Sequence, residues 1–280
     1  ARPLLAIAYH NFKKNNDIDN LNRTTKLLSS FWVLRRAGTG GTAGIDSRYK
    51  ELYSGAALNN KLTFGFDLFE NLEQISNYFT KDLATTFVGK NSNFDIVETK
   101  EAWLNKAVSV EQYKTGKQLG ICRLLLLSSM HDVVASIECE WKTIKGKDGS
   151  NPTLSYYHWA EFSDSGKSQY TIEHIAPQNP KEYDWDSSLA SGELTNTIGN
   201  LVILTRGDNS EASNDSWILK KNLYIELADK KYEFGVERNY NQFIKAVSAS
   251  PAWQADIVLE RSYNLLGNSW DNLIKWLVIQ

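Results

Sequence analysis

The sequence predicts a mainly α-helical protein carrying one small strand–loop–strand–helix (ββα) unit. Three observations predict it. The first half places its apolar residues at helical spacing, as at Leu21, Leu28, Phe31 and Leu34, with Leu27 beside them. Two short β-favouring runs, Tyr170-Thr171-Ile172 and Leu201-Val202-Ile203-Leu204-Thr205, appear only in the second half. The cap cluster Ser213-Asn214-Asp215-Ser216 then leads into a helix over Trp217 to Leu227.

Along the chain, Asp19-Asn20 is placed to cap a helix running to about Arg36. The run Gly38-Thr39-Gly40-Gly41-Thr42-Ala43-Gly44 stops that helix. It has no Gly-Lys-Ser/Thr and no strand before it, so it reads as a connector and not as a phosphate-cradling loop. Phe64 to Phe79 and Thr115 to Val134 read as further helices, the second buried through Ile121 and Leu124 to Leu127. The polar break Lys145-Gly146-Lys147-Asp148-Gly149-Ser150-Asn151-Pro152 divides the chain into a helical scaffold region, 1–145, and a second region, 153–280. Two helices are expected to close the chain, about Ala252 to Leu266 and Trp270 to Ile279, with Gly267 ending the first and Ser269 capping the second.

Composition narrows the function. The 280 residues are 42% hydrophobic and 23% charged, the balance of a globular protein that is neither membrane-embedded nor disordered. The net charge of -2 supplies no general attraction for a polyanion, so any nucleic-acid contact must come from a local patch. Cys122 and Cys139 lie in no Cys-x-x-Cys pair and have no His at finger spacing. They are expected as buried free thiols in a reducing cytoplasm. The longest apolar run, Leu124 to Leu127, is far too short for a membrane span. The chain opens on Ala1 and enters an apolar stretch at once, which suggests the C-terminal part of a longer polypeptide.

Of the four histidines, His10, His131 and His158 stand alone and read as ordinary core or surface residues. His174 differs. It follows Glu173 at the end of a β-like run, with Pro177 three residues on. Successive strand side chains point to opposite faces, so the pair can serve one site only where the strand ends or twists. Asn200 opens a β run although asparagine suits strands poorly, and Asn209 lies in Arg206-Gly207-Asp208-Asn209-Ser210. Each could be a turn asparagine bonding its own backbone. Lys220-Lys221 on the following helix could be a solvated polar face.

Together these elements say more. Glu-His-Ile-x-Pro, then Gly-Asn-Leu-x-x-Leu, then Asn, then a capped helix with paired lysines resembles the HNH nuclease motif in order and spacing. The closer resemblance is to the C-terminal HNH domain of GmrSD-type modification-dependent restriction endonucleases and related phage-defence proteins of the SspE type. Thr171-Ile172-Glu173-His174-Ile175-Ala176-Pro177-Gln178 is similar to that family's first signature. Ile198 to Leu204, with Ser213-Asn214, Lys220-Lys221 and Tyr224, is similar to its second. Arg35-Arg36 before a small-residue loop is the trace of the family in the first half.

The resemblance implies a mainly α fold with a small ββα-metal (His-Me finger) unit inserted, a helical scaffold around an HNH motif. It implies a nuclease region over 153–280 with C-terminal helices. It implies His174 as general base and Asn200 holding the loop that orients it, both counted as catalytic. Glu173 and Asn209 become the ligands of Mg²⁺, with Mn²⁺ as the other hard ion suited to such oxygens. Lys220 or Lys221 becomes a contact to DNA phosphate, with the choice between the two left open. The expected partner is DNA, with no membrane and with an N-terminal nucleotide-handling domain outside this sequence, since no Asp-Gly-Gln-Gln-Arg-type motif occurs here. The expected activity is a metal-dependent DNA endonuclease or nickase of a restriction system. The alternatives are an inactive DNA-binding or regulatory module of the same type, and a helical domain with a chance motif.

Overall fold

A computed structural model describes residues 2–54, 69, 71–113, 119–136, 141–154, 170–180, 185–190, 192–230 and 237–279. His158 and Cys139 lie outside these residues, as do parts of the expected helices at Phe64–Phe79 and Thr115–Val134. The described chain is mostly helical with two small antiparallel sheets. Its contacts divide it into two compact units, Ala1–Ala107 with Asp271–Gln280, and Val108–Trp270.

The first unit contains α1 (Arg2–Asn15), α2 (Ile18–Thr39), α3 (Ile45–Tyr53), α4 (Leu72–Phe87) and α5 (Ile96–Ala107). The cap of α2 is Asp17, two residues before the expected start, because its carboxylate accepts from the Asn20 backbone N–H. The helix continues through Gly38 to Thr39, where Gly40 in the left-handed region returns its N–H to Arg36. Gly38 is there for space: a Cβ would lie 2.5 Å from the Phe87 ring. Phe31 and Phe79 stack at 4.0 Å in the core, and Trp103 Nε1 donates to the Leu34 carbonyl. Arg35, from the double arginine, pairs with buried Asp82, which Arg48 also holds.

The second unit contains α6 (Leu119–Ser129), β1 (Val133–Ala135), β2 (Thr143–Lys145), β3 (Tyr170–His174) and β4 (Leu201–Thr205). After β4 come α7 (Arg206–Ala212), α8 (Trp217–Asp229), α9 (Glu237–Ser248) and the start of α10 (Ala255–Leu277). The long helix expected to reach Val134 stops at Ser129, and Val133–Ala135 pairs antiparallel with Thr143–Lys145. Asp132 is the reason. It takes a positive φ of 53°, and its carboxylate accepts from the Gly149 and Asn151 backbone N–H groups.

That fastening also bears on the polar break at Lys145–Pro152. The break lies inside the second unit, tied to the end of α6, and the division into units falls at Ala107/Val108. At the C-terminus the two expected helices are one. Ser269 does not cap; its hydroxyl shares a hydrogen bond with Ser128 at 2.5 Å. Gly267 stays inside α10 because the buried face Leu265, Leu266, Trp270 and Leu273 runs through it. That burial outweighs the roughly 1 kcal/mol that an interior glycine costs. No helix among the described residues is long and apolar enough to cross a membrane.

Candidate active site

β3 and β4 form a two-stranded antiparallel sheet in which His174 faces Leu201 and Glu173 faces Val202. The ladder continues one step past the strand, with Ile175 N–H donating to the Asn200 carbonyl at 2.9 Å. The end of β3 and the start of β4 therefore lie side by side, although the loop between them spans more than twenty residues.

Asn200 closes that loop. It is fully buried, and its side chain makes four hydrogen bonds. Its Oδ1 accepts from Ala176 N–H at 2.8 Å and from Trp253 Nε1 at 3.1 Å. Its Nδ2 donates to the Ala176 and Thr195 carbonyls, each at 2.9 Å. Both main-chain polar groups of Ala176, two residues after His174, are held by this one amide. The neighbouring Gly199 allows α10 to approach: a Cβ would lie 2.0 Å from the Val258 carbonyl oxygen. Gly199 N–H donates to Ser262, and the Arg261 guanidinium donates to the Gly199 and Leu201 carbonyls. Arg261 is buried, lies over the rings of Phe243 and Trp253, and is pushed down to about 9 by desolvation.

His174 is 8% exposed. Its Nε2 lies 3.1 Å from Asn196 Oδ1, which also accepts from Gln178 Nε2 at 3.0 Å. An amide oxygen only accepts, so His174 carries its proton on Nε2 and presents a lone pair at Nδ1. The Tyr113 ring stands edge-on to the imidazole at 4.5 Å. Burial above all, with the Lys220 charge beside it, lowers the imidazole to about 4 against the opposing Asn196 contact. The ring is neutral near pH 7.

Glu173 and Lys220 form a buried pair, with Lys220 Nζ 2.5 Å from Glu173 Oε1 and 2.9 Å from the His174 carbonyl oxygen. Burial raises the Glu173 carboxyl and lowers the Lys220 ammonium, and each charge pulls the other back. The sequence leaves open which of Lys220 and Lys221 meets DNA phosphate. Lys220 is 1% exposed, and its ammonium ties α8 to the end of β3. Lys221, half-buried, donates to the Ser250 carbonyl at 2.8 Å. Asn209, the other expected metal ligand, stands on α7, half-buried, with its carbonyl accepting from Ser213 N–H. Among the described residues no hydrogen bond joins its side chain to Glu173 or His174, but α7 packs against both β3 and β4.

Among the described residues no three His, Cys, Asp or Glu side chains gather as a metal-binding group. The two expected ligands, the Glu173 carboxylate and the Asn209 amide, are both oxygen donors. Two such donors fit Mg²⁺ in kind, since that ion keeps several waters and takes further oxygens from a phosphate.

Five residues of this site carry no signal in the linear pattern: Tyr113, Asn196, Trp253, Arg261 and Ser262. Asn196 sits in the polar run Thr195-Asn196-Thr197 just before the glycine–asparagine pair, the nearest thing to a clue. The others arrive by tertiary contact from far along the chain.

A model of the C-terminal domain of GmrSD restriction endonucleases matches residues 99–267, more than half of the chain and every residue of this site. The chain belongs to this family. No curated protein matches it. Membership places the GmrSD-type chain in the restriction-endonuclease class, whose activity is that of a nuclease acting on DNA.

Proposed function

We propose that this GmrSD-type domain is a metal-dependent HNH DNA endonuclease or nickase of a phage-defence or restriction system. In this reading β3, β4 and the helices after them form a ββα His-Me finger. The observation that carries it is the joining of Glu173-His174 at the end of β3 to Asn200 at the start of β4, through one buried amide that holds Ala176.

The chemistry follows from the atoms. Asn196 fixes the proton of His174 on Nε2, so Nδ1 accepts a proton from the attacking water. Burial keeps the ring neutral at physiological pH, the state a base needs. Asn200 acts on the backbone next to His174 and thereby on the ring's position. Glu173 and Asn209 would hold the Mg²⁺ or Mn²⁺ ion. When bound, such an ion supplies Lewis-acid neutralisation of the phosphate and of the leaving oxygen. Lys221, half-buried and bonded to the Ser250 carbonyl, is the less enclosed of the paired lysines and the one nearer to meeting a phosphate.

One observation favours a second reading, an inactive DNA-binding or regulatory module: Lys220 already occupies Glu173 Oε1. The test is cleavage of modified and unmodified DNA by wild type and His174→Ala, with Mg²⁺ and with EDTA. The nuclease reading expects Mg²⁺-dependent cleavage that falls by about 10²–10⁴ in the variant, with DNA affinity retained. Equal rates for both proteins under matched Mg²⁺ refute His174 as base.

A further inference from the structure

The net charge of -2 means that DNA must be met by a local concentration of cations, and His174's surroundings supply few free ones. One such concentration lies wholly within the first unit. A groove of about 460 Å³ is lined by Arg23 and Lys26 from α2, Ile96 from the start of α5, and Ile274, Lys275 and Trp276 from the end of α10.

Arg23 and Lys26 are three residues apart on one helix, so they share a face. Both are exposed, as is Lys275. Among the described residues none of the three has a carboxylate within ion-pair distance. Asp271, one turn before Lys275, is held by Lys100 at 2.7 Å, and Asp19, one turn before Arg23, makes no ion pair with it. The floor is apolar: Ile96 is 46% exposed, and the half-buried Trp276 ring has the Lys26 ammonium 5.6 Å from its centroid.

We propose that this groove is a DNA-backbone contact, separate from the hydrolytic site, in which Arg23, Lys26 and Lys275 meet phosphates and Trp276 and Ile96 meet sugar or base faces. The inference rests on DNA being the substrate of the domain. Three uncompensated cations around one cleft attract a polyanion, and an indole beside them offers the flat surface that nucleotides stack on. A small anion would call for converging, buried donors. These cations are exposed and come from two helices, which suits a chain of phosphates.

The experiment uses the full chain and a fluorescent duplex DNA of about 25 base pairs in EDTA, with affinity measured across a salt series. The triple variant Arg23→Gln, Lys26→Gln, Lys275→Gln is compared with wild type and with a control, Lys50→Gln, Lys81→Gln, Lys90→Gln, that removes the same charge from exposed positions of the same unit. Each lost phosphate contact lowers the salt slope by about 0.9, so the groove variant should lose between about two and three. Its affinity at 0.1 M salt should fall on the order of a hundredfold. The control should stay near wild type, and both variants should melt as wild type does. An unchanged slope in the groove variant, or an equal loss in the control, overturns the proposal. Cleavage is read separately with Mg²⁺. A chain that binds DNA through the groove but never cleaves would sink the nuclease reading and leave the groove standing. A chain that cleaves with full affinity in the groove variant does the reverse.

Discussion

Asn200→Ala is the most informative single change in the second unit. The side chain is fully buried and holds four partners: the Ala176 N–H and carbonyl, the Thr195 carbonyl and Trp253 Nε1. Alanine supplies none of them. Each bond is worth about 0.5–1.5 kcal/mol net, and a buried group left unsatisfied costs about 1–3 kcal/mol. Water entering the gap will recover part, and carbonyls tolerate a missing partner better than N–H groups do. We therefore expect about 3–5 kcal/mol of destabilisation. Urea unfolding followed by tryptophan fluorescence reads this as a lower midpoint. In a thermal scan, about 2–4 °C per kcal/mol for a domain of this size puts the drop in Tm at roughly 6–20 °C. Below the transition the folded fraction should still be slow in cleavage, because Ala176 is released two residues from His174. A variant that melts within about 1 kcal/mol of wild type would refute this account of the clamp. So would one whose folded fraction cleaves at the wild-type rate.

Lys220→Met leaves the Glu173 carboxylate buried without its cation and should destabilise by about 3–5 kcal/mol, whereas the double variant with Glu173→Gln should recover much of that loss in the same urea assay. If Lys220→Met is as stable as wild type, the pair is not the tie between α8 and β3 that its geometry describes. Cys122 is buried in α6, and burial pushes its thiol from near 9 up to about 12. A thiol raised on folding stabilises fully below its unfolded value, and that contribution is lost as pH rises through the folded one. Stability should therefore decline between about pH 9 and 12, by up to about 1.4 kcal/mol per pH unit, and Cys122→Ala should flatten that slope. Peptide mapping after iodoacetamide at pH 8 should find Cys122 unmodified in the native protein and alkylated in urea; rapid native labelling contradicts its burial.

What the sequence makes legible is local. Leu201-Val202-Ile203-Leu204 is apolar at every position because β4 is buried on both faces, and the run marks the strand without outside help. Ser216 before Trp217 marks the start of α8 through its extended backbone conformation, although its side chain makes no cap hydrogen bond. The misplaced elements are those where local punctuation is overruled from a distance. Gly267 and Ser269 look like a helix end, but the apolar stripe of α10 continues past them and Ser128 takes the serine hydroxyl. Asp132 looks like part of a helix, but its carboxylate collects two N–H groups from beyond Lys147.

The site divides along the same line, and Lys220 shows where. Its residue type and motif position are visible in the sequence, and a lone lysine on a polar helix face would ordinarily be solvated. Its task is decided by Glu173, 47 residues away, because a buried ammonium is tolerable only where a carboxylate and a carbonyl meet it. The same holds for Asn196, whose oxygen chooses the tautomer of His174 across 22 residues, and for Trp253, which fills the second lone pair of the Asn200 amide across 53. A motif thus records which side chains meet at the end of β3. The direction in which each works is set by partners that no spacing rule connects to it: Lys220 inward to Glu173, Asn200 to the backbone of Ala176, His174 through Nε2 to Asn196.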